Sequence, residues 1–209
     1  MTLPEITFAN VLDYIGTLAF AISGIRLAST KNFDWFGAYV VGLATAIGGG
    51  TVRDLMLDVP VFWMRNGIYF LITLLALLLV VLFGKVVVRQ KYTWFIFDTI
   101  GLGMFAVIGI EKTLGVGFPF WVAIVMGSVT GAGGGVIRDV FLNEVPLIFR
   151  AEIYAVACVL GGLAYWVCSL CGWGNVPCGL MCGSVVILSR VLAVRYHINL
   201  PTLRDSDEI

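Results

Sequence analysis

Charge is scarce in this chain of 209 residues: 12% are Asp, Glu, Lys or Arg, against 60% apolar. Soluble domains carry about a quarter charged residues, so an ordinary globular fold is excluded. Thirteen basic and thirteen acidic side chains give zero net charge, which excludes nucleic acid as a partner, since that needs a basic face. Histidine is nearly missing. The single one, His197, falls in a polar tail, so no Ser-His or Cys-His constellation can form inside the apolar segments; catalysis and a resident cofactor are not expected. No Lys or Arg precedes Arg26, whereas Glu5 and Asp13 do. A cleavable leader needs a positive start, so the first apolar run is expected to be retained. Cysteine is confined to the last quarter, at Cys158, Cys168, Cys171, Cys178 and Cys182. With apolar flanks and no His or carboxylate among them, these read as small buried hydrophobes rather than a zinc site. A disulfide near 172–175 stays open, and the odd count leaves at least one thiol free or paired between subunits.

Long apolar runs are abundant. Asn66 to Gly84 holds only apolar residues apart from Asn66, Tyr69 and Thr73, and about 20 such residues cross a bilayer core as a helix. The chain reads as an all-α integral membrane protein with seven transmembrane helices, at about 11–28, 35–57, 66–84, 94–113, 118–142, 151–171 and 175–194. Trp35, Trp63, Trp94, Trp121 and Trp173 fall near the span ends, as interfacial anchors should.

The first six spans are two copies of a triplet. Gly48-Gly49-Gly50-Thr51-Val52-Arg53-Asp54 returns eighty-five residues later as Gly133-Gly134-Gly135-Val136-Ile137-Arg138-Asp139. At the same offset Asp13 matches Asp98, Gly24 matches Gly109, Gly42 matches Gly127, and Tyr69 matches Tyr154. An odd number of crossings leaves the second copy upside down, so the triplets are expected to form an inverted repeat about an axis in the membrane plane. One membrane domain over 1–209 results: repeat one at about 11–84, repeat two at about 94–171, an extra helix at about 175–194 and a polar tail at 197–209. Ten Lys or Arg lie on the side of the C-terminus and only Arg53, Arg65 and Lys112 opposite. This bias places the C-terminus in the cytoplasm and the N-terminus outside.

The repeated motif is costly for a segment that only spans. Each glycine weakens a helix by about 1 kcal/mol against alanine, and a charge in the hydrocarbon costs about 2.5–3.5 kcal/mol on an insertion scale. Helices 2 and 5 are therefore expected to break at Gly48, Gly49 and Gly50 and at Gly133, Gly134 and Gly135, as kinks or hinges. Small-residue packing is the plainer reading of the same glycines. Arg53, Asp54, Arg138 and Asp139 lie one turn beyond each break, one pair toward each side. They read as an ion pathway or as interhelical salt bridges. Adjacent in sequence, each Arg and Asp is expected to face different neighbours. Thr45, Thr130 and Ser128 are candidate lining groups, with back-bonding to the preceding turn as the alternative. Asp13 and Asp98 are expected to complement helix N-terminal dipoles, and Tyr69 and Tyr154 to point inward or sit as interfacial aromatics. Lys85, Arg89 and Lys91 form a basic cluster that would attract anionic membrane lipid.

Seven helices, inverted triplets and a doubled GGG-x-x-R-D motif resemble the prokaryotic relatives of the trimeric intracellular cation (TRIC) channels, also labelled putative glycine transporters. The resemblance covers about 8–195. It implies a homotrimer in the inner (plasma) membrane of a prokaryote, with one hourglass pore per subunit that passes K+ and, less selectively, Na+. The motif glycines would shape that pore and the Arg-Asp pairs would surround it. No metal is implied beyond the transient permeant ions. Helix breaks within inverted repeats also suit alternating-access carriers, so a secondary transporter of a small amino acid such as glycine is the alternative.

Overall fold

A computed structural model describes residues 7–83, 93–150 and 153–201. Eight α-helices are described: α1 (Phe8–Thr30), α2 (Trp35–Met56), α3 (Phe62–Arg65), α4 (Ile68–Leu82), α5 (Thr93–Gly115), α6 (Phe120–Phe141), α7 (Ala155–Leu170) and α8 (Asn175–Arg195). Helices α1, α2, α5, α6 and α8 have 21 to 23 residues. At 1.5 Å per residue they are about 32–35 Å long, enough for a hydrocarbon core of about 30 Å. Helices α4 and α7 are apolar but shorter. Each follows a single short turn, α3 in the first triplet and a 3-10 turn at Leu147–Phe149 in the second. The expected spans agree with these helices to within a few residues. The expected ends near 84 and 151, the basic cluster Lys85, Arg89 and Lys91, and the tail beyond 201 fall outside the described residues.

The ends are set by local chemistry. Thr7 and Asp34 cap α1 and α2 by accepting from Asn10 N and Gly37 N. Helices α2 and α6 stop alike: Asp58 and Asn143 take left-handed backbone (φ 53°), and the next amides, Val59 and Glu144, donate back to the Asp54 and Asp139 carbonyls. Short polar side chains tolerate that conformation better than most.

Inversion is visible in the contacts. Gly16 abuts Phe105 while Gly101 abuts Phe20; Gly49 abuts the Thr130 carbonyl while Gly134 abuts the Thr45 carbonyl. Early residues of one helix thus meet late residues of its repeat partner, and the roles exchange about a central axis. α1 lies along α5, α2 along α6, and α4 and α7 pack on the outside of their own triplets. Helix α8 covers α7 and α5, where Gly161 takes Val186 and Gly179 takes Val107. Leu71, Leu78, Leu82, Trp121 and Leu170 remain exposed, as a lipid-facing surface requires.

The triple glycines differ in one respect from expectation. α-Helix continues through Gly48–Gly50 and Gly133–Gly135, so no run of carbonyls is released by unwinding. The reason is packing in three directions at once. Consecutive helical residues point about 100° apart, and a methyl on each glycine would meet something different. Gly48 faces Ile137, Gly49 the Thr130 carbonyl and Gly50 the Phe62 ring; Gly133 faces the Gly49 Cα, Gly134 the Thr45 carbonyl and Gly135 the Tyr154 hydroxyl. A stripe of small residues every fourth position would serve one face only.

Candidate functional site

Each motif ends in a buried carboxylate held in a fixed frame. We call the end of the bundle where α1 starts the N-side and the opposite end the C-side. On the N-side, Asp54 is fully buried at the last turn of α2. Its Oδ1 accepts from Arg53 Nε at 2.7 Å and from Lys112 Nζ of α5 at 2.8 Å, and its Oδ2 accepts from Phe62 N at 3.0 Å. On the C-side, Asp139 Oδ1 accepts from Arg138 Nε at 2.8 Å, and Oδ2 accepts from Leu147 N at 3.1 Å. One carboxylate therefore does two jobs in each repeat. It neutralises the adjacent arginine and it anchors the turn that leads into the third helix.

Arg and Asp were expected to face different neighbours, and beyond those neighbours each arginine also folds onto the carboxylate next to it. The guanidinium sits on a long flexible stem, so it reaches a group that a short side chain on the adjoining face would miss. Thr45 and Thr130 are fully buried and donate to the Val41 and Met126 carbonyls at 2.6 Å. Their hydroxyls pack against the Cα atoms of Gly24 and Gly109, which makes them packing groups between α1 and α2 and between α5 and α6. Ser128 donates to Ile124 O at 3.0 Å and borders an apolar hollow with Val52 and Ile148. It joins neither charged cluster.

Sequence reading missed the most consequential contact. Asp98 and Arg138, both wholly buried, form an ion pair between α5 and α6. Arg138 also donates to Ser23 Oγ of α1 at 3.0 Å, Tyr154 donates to Asp98 at 3.4 Å, and Trp94 lies 6.0 Å from the guanidinium. The repeat equivalent of Asp98 is Asp13, which accepts from the Tyr69 hydroxyl. Both tyrosines thus point inward, one of the two placements expected of them. The helix-dipole role expected of the two aspartates does not hold, and position was the available signal: each sits in the second turn of its helix, beyond the reach of a terminal dipole.

The two clusters are not identical. Lys112 enters the N-side cluster from α5, and its counterpart in the first repeat is Leu27. Each cluster borders a cavity. The N-side one, about 470 Å³, is lined by Asp13, Arg53, Phe62, Tyr69, Glu111 and Lys112 among others. The C-side one, about 240 Å³, is lined by Trp94, Arg138, Asp139, Leu147, Glu144 and Arg150 among others. Lys31 bonds Glu144 at 2.6 Å at that rim, and with Arg150 it holds the Glu144 carboxyl below its usual range. Midway, the Phe20 and Phe105 rings meet edge to face with centroids 5.1 Å apart. Both are buried, and each lies seven residues along its helix from the aspartate that opens the nearer cluster.

Similarity to known proteins can be set beside this geometry. The pattern of a family described as Glycine transporter matches residues 10–85 and again 95–169, once for each triplet. The inner membrane protein YadS of Escherichia coli, a UPF0126 protein, is 41% identical over 202 residues, covering 91% of this chain and 94% of its own. A crystal structure of the TRIC trimeric intracellular cation channel orthologue from Rhodobacter sphaeroides superposes with a TM-score of 0.87 at 32% identity, over 92% of this chain and all of that one. A second solved structure, described in terms of conductance through TRIC cation channels, gives 0.85 at 33% identity over 96% and 99%. A doubled family match, one for each inverted triplet, together with near-complete superposition, settles the classification: the chain belongs to the prokaryotic TRIC channel family, the family also labelled Glycine transporter.

Proposed function

We propose that this chain is a passive monovalent-cation channel, admitting K+ and less selectively Na+, with one pathway in each subunit of a homotrimer. The observation that carries the reading is the pair of charged clusters, at opposite ends of one bundle, each bordering its own cavity, with the buried Phe20–Phe105 contact between them. The N-side cavity is lined by Asp13 and Glu111 with Arg53 and Lys112, both cations being paired to the buried Asp54, and the C-side cluster sets Asp98 and Asp139 against Arg138. Carboxylates that can attract a cation stand at both ends, Asp13 and Glu111 in the N-side cavity and Asp139 and Glu144 in the C-side one, each set among basic side chains. Arg138 and Arg53 limit passage through their charge, and the Phe20–Phe105 contact closes the middle. This is an hourglass whose waist is shut by aromatic packing.

The described positive charges support the membrane orientation. Arg26, Lys31, Arg138, Arg150, Arg190 and Arg195 lie toward the C-side, and Arg53, Arg65 and Lys112 toward the N-side. The C-side therefore faces the cytoplasm of a prokaryotic cell, with anionic lipid around it. One observation favours the second reading, a carrier for a small amino acid: the N-side cavity offers carboxylates and cations together, which suits a zwitterion. The test is a planar-bilayer recording across a KCl gradient. Stepwise currents reversing near the K+ equilibrium potential support the channel; silent bilayers or reversal at the Cl− potential reject it.

A further inference from the structure

Helix α8 stands outside the repeat, yet it sends one fully buried guanidinium, Arg190, toward the C-side cluster. Arg190 Nη1 donates to the Ile153 carbonyl at 3.1 Å, which pins the backbone one residue before Tyr154. The guanidinium carbon lies 4.8 Å from the centre of the Tyr154 ring and 5.1 Å from that of Phe95, at the start of α5. Both distances fall within cation–π range. Tyr154 is itself buried, and a methyl on Gly135 of the second motif would strike its hydroxyl. That hydroxyl donates to Asp98, the partner of Arg138. A continuous line of contacts therefore runs from α8 to the charged cluster. The other repeat supports its tyrosine differently. Tyr69, the counterpart of Tyr154, is steadied edge to face by two rings, Phe62 with centroids 4.6 Å apart and Tyr14 at 6.1 Å. At the offset of eighty-five those two positions are Leu147 and Thr99. The second repeat lacks both aromatic supports, and a cation from outside the repeat holds its tyrosine instead.

We infer that Arg190 is a positioning residue for the C-side cluster, holding Tyr154 as the donor that keeps Asp98 in place against Arg138. It does so in two ways. The bond to Ile153 fixes where the ring stands. The charge over the ring draws electron density from the phenol oxygen and makes the hydroxyl a stronger donor, as groups in a buried network polarise one another. With Tyr154 and Asp98 loosened, Arg138 swings further into the C-side cavity that it already lines, and its charge opposes incoming cations. Helix α8 is therefore a support of the pathway as well as a cover over α5 and α7.

The effect on conduction rests on the channel reading above; the hold on Tyr154 does not. The test records unitary K+ currents of the purified full-length protein in planar bilayers, alongside the NMR spectrum of protein labelled with carbon-13 at the tyrosine Cζ. Arg190→Met keeps the stem and removes the charge. It and Tyr154→Phe should each lower unitary K+ conductance about two- to threefold, the low end of coupling within one network, and the double variant should fall no further. Arg190→Lys, which keeps a charge and a donor, should recover most of the loss. Arg190→Met and Tyr69→Phe should instead multiply their effects, because the two tyrosines belong to separate clusters. The Tyr154 resonance, identified by its loss in Tyr154→Phe, should move in Arg190→Met while that of Tyr69 stays in place. A wild type that passes no current rejects the channel reading, and the resonance then decides the inference alone. An unmoved Tyr154 resonance, or effects of Arg190→Met and Tyr154→Phe that multiply in the double variant, would overturn it.

Discussion

The two repeats supply a matched pair of aspartates in unequal surroundings, which makes Asp98→Asn and Asp13→Asn a controlled comparison inside one molecule. Asp98 neutralises Arg138, and neither side chain has any exposure. Removing one member of a buried ion pair costs about 3–5 kcal/mol, because the other charge is left uncompensated. Arg138 keeps Asp139 and Ser23, which places Asp98→Asn near the lower figure, about 3 kcal/mol. Asp13 accepts from the Tyr69 hydroxyl, and an asparagine oxygen accepts in its place. Only the charge assistance is lost, about 1 kcal/mol. At about 2–4 °C per kcal/mol for a chain of this size, the apparent unfolding midpoint should fall by about 6–12 °C for Asp98→Asn and about 2–4 °C for Asp13→Asn. Tryptophan fluorescence during heating of the purified protein reads both. Equal shifts, or a larger shift for Asp13→Asn, would refute the view that Asp98 holds a buried ion pair where its repeat equivalent Asp13 holds only a hydrogen bond.

Three further outcomes follow from the same geometry. A methyl at Gly109 would lie 2.7 Å from Gly127 Cα and 2.8 Å from Met126 O, so Gly109→Ala should cost about 1–3 kcal/mol, whereas Gly67→Ala, with open space around it, should leave the midpoint unchanged. Phe20→Ala and Phe105→Ala should each raise resting K+ conductance by opening the apolar layer; a bilayer recording with conductance unchanged in both variants would remove that layer from the proposed gate. Glu144 titrates below the usual carboxylate range because Lys31 bonds it. Its contribution is present above the ordinary glutamate value and is lost as pH falls through the lowered folded value. Glu144→Gln should therefore lower the midpoint slightly at neutral pH and flatten its fall through that acid window.

Much of this architecture was legible because it is written in periodicities. Apolar runs mark the helices, and an offset of eighty-five marks the inverted triplets. Both depend on residue type along the line of the chain and little on three-dimensional detail. The site was legible only in outline. Arg53, Asp54, Arg138 and Asp139 stand out as charges in apolar surroundings, but their partners come from elsewhere: Lys112 and Asp98 from α5, Ser23 from α1. Nothing local in the sequence reports which helix turns toward which. The glycines show the same limit. A triple glycine reads as a break when a helix is considered alone, and as unbroken helix once three neighbours press on three faces of it. Thr45 and Thr130 show it too: each is buried with its hydroxyl bonded to a carbonyl one turn back, the alternative that the sequence left open.

The central claim is a passive cation pathway from one charged cavity to the other, and a single proteoliposome preparation tests it most directly. K+ flux should rise with concentration without saturating, appear as discrete unitary steps when the same vesicles are fused to a planar bilayer, and be altered by Asp139→Asn and Arg138→Ala. Radiolabelled glycine should show no counterflow. Saturable glycine exchange in vesicles that pass no K+ current would contradict the channel and make the N-side cavity a carrier site.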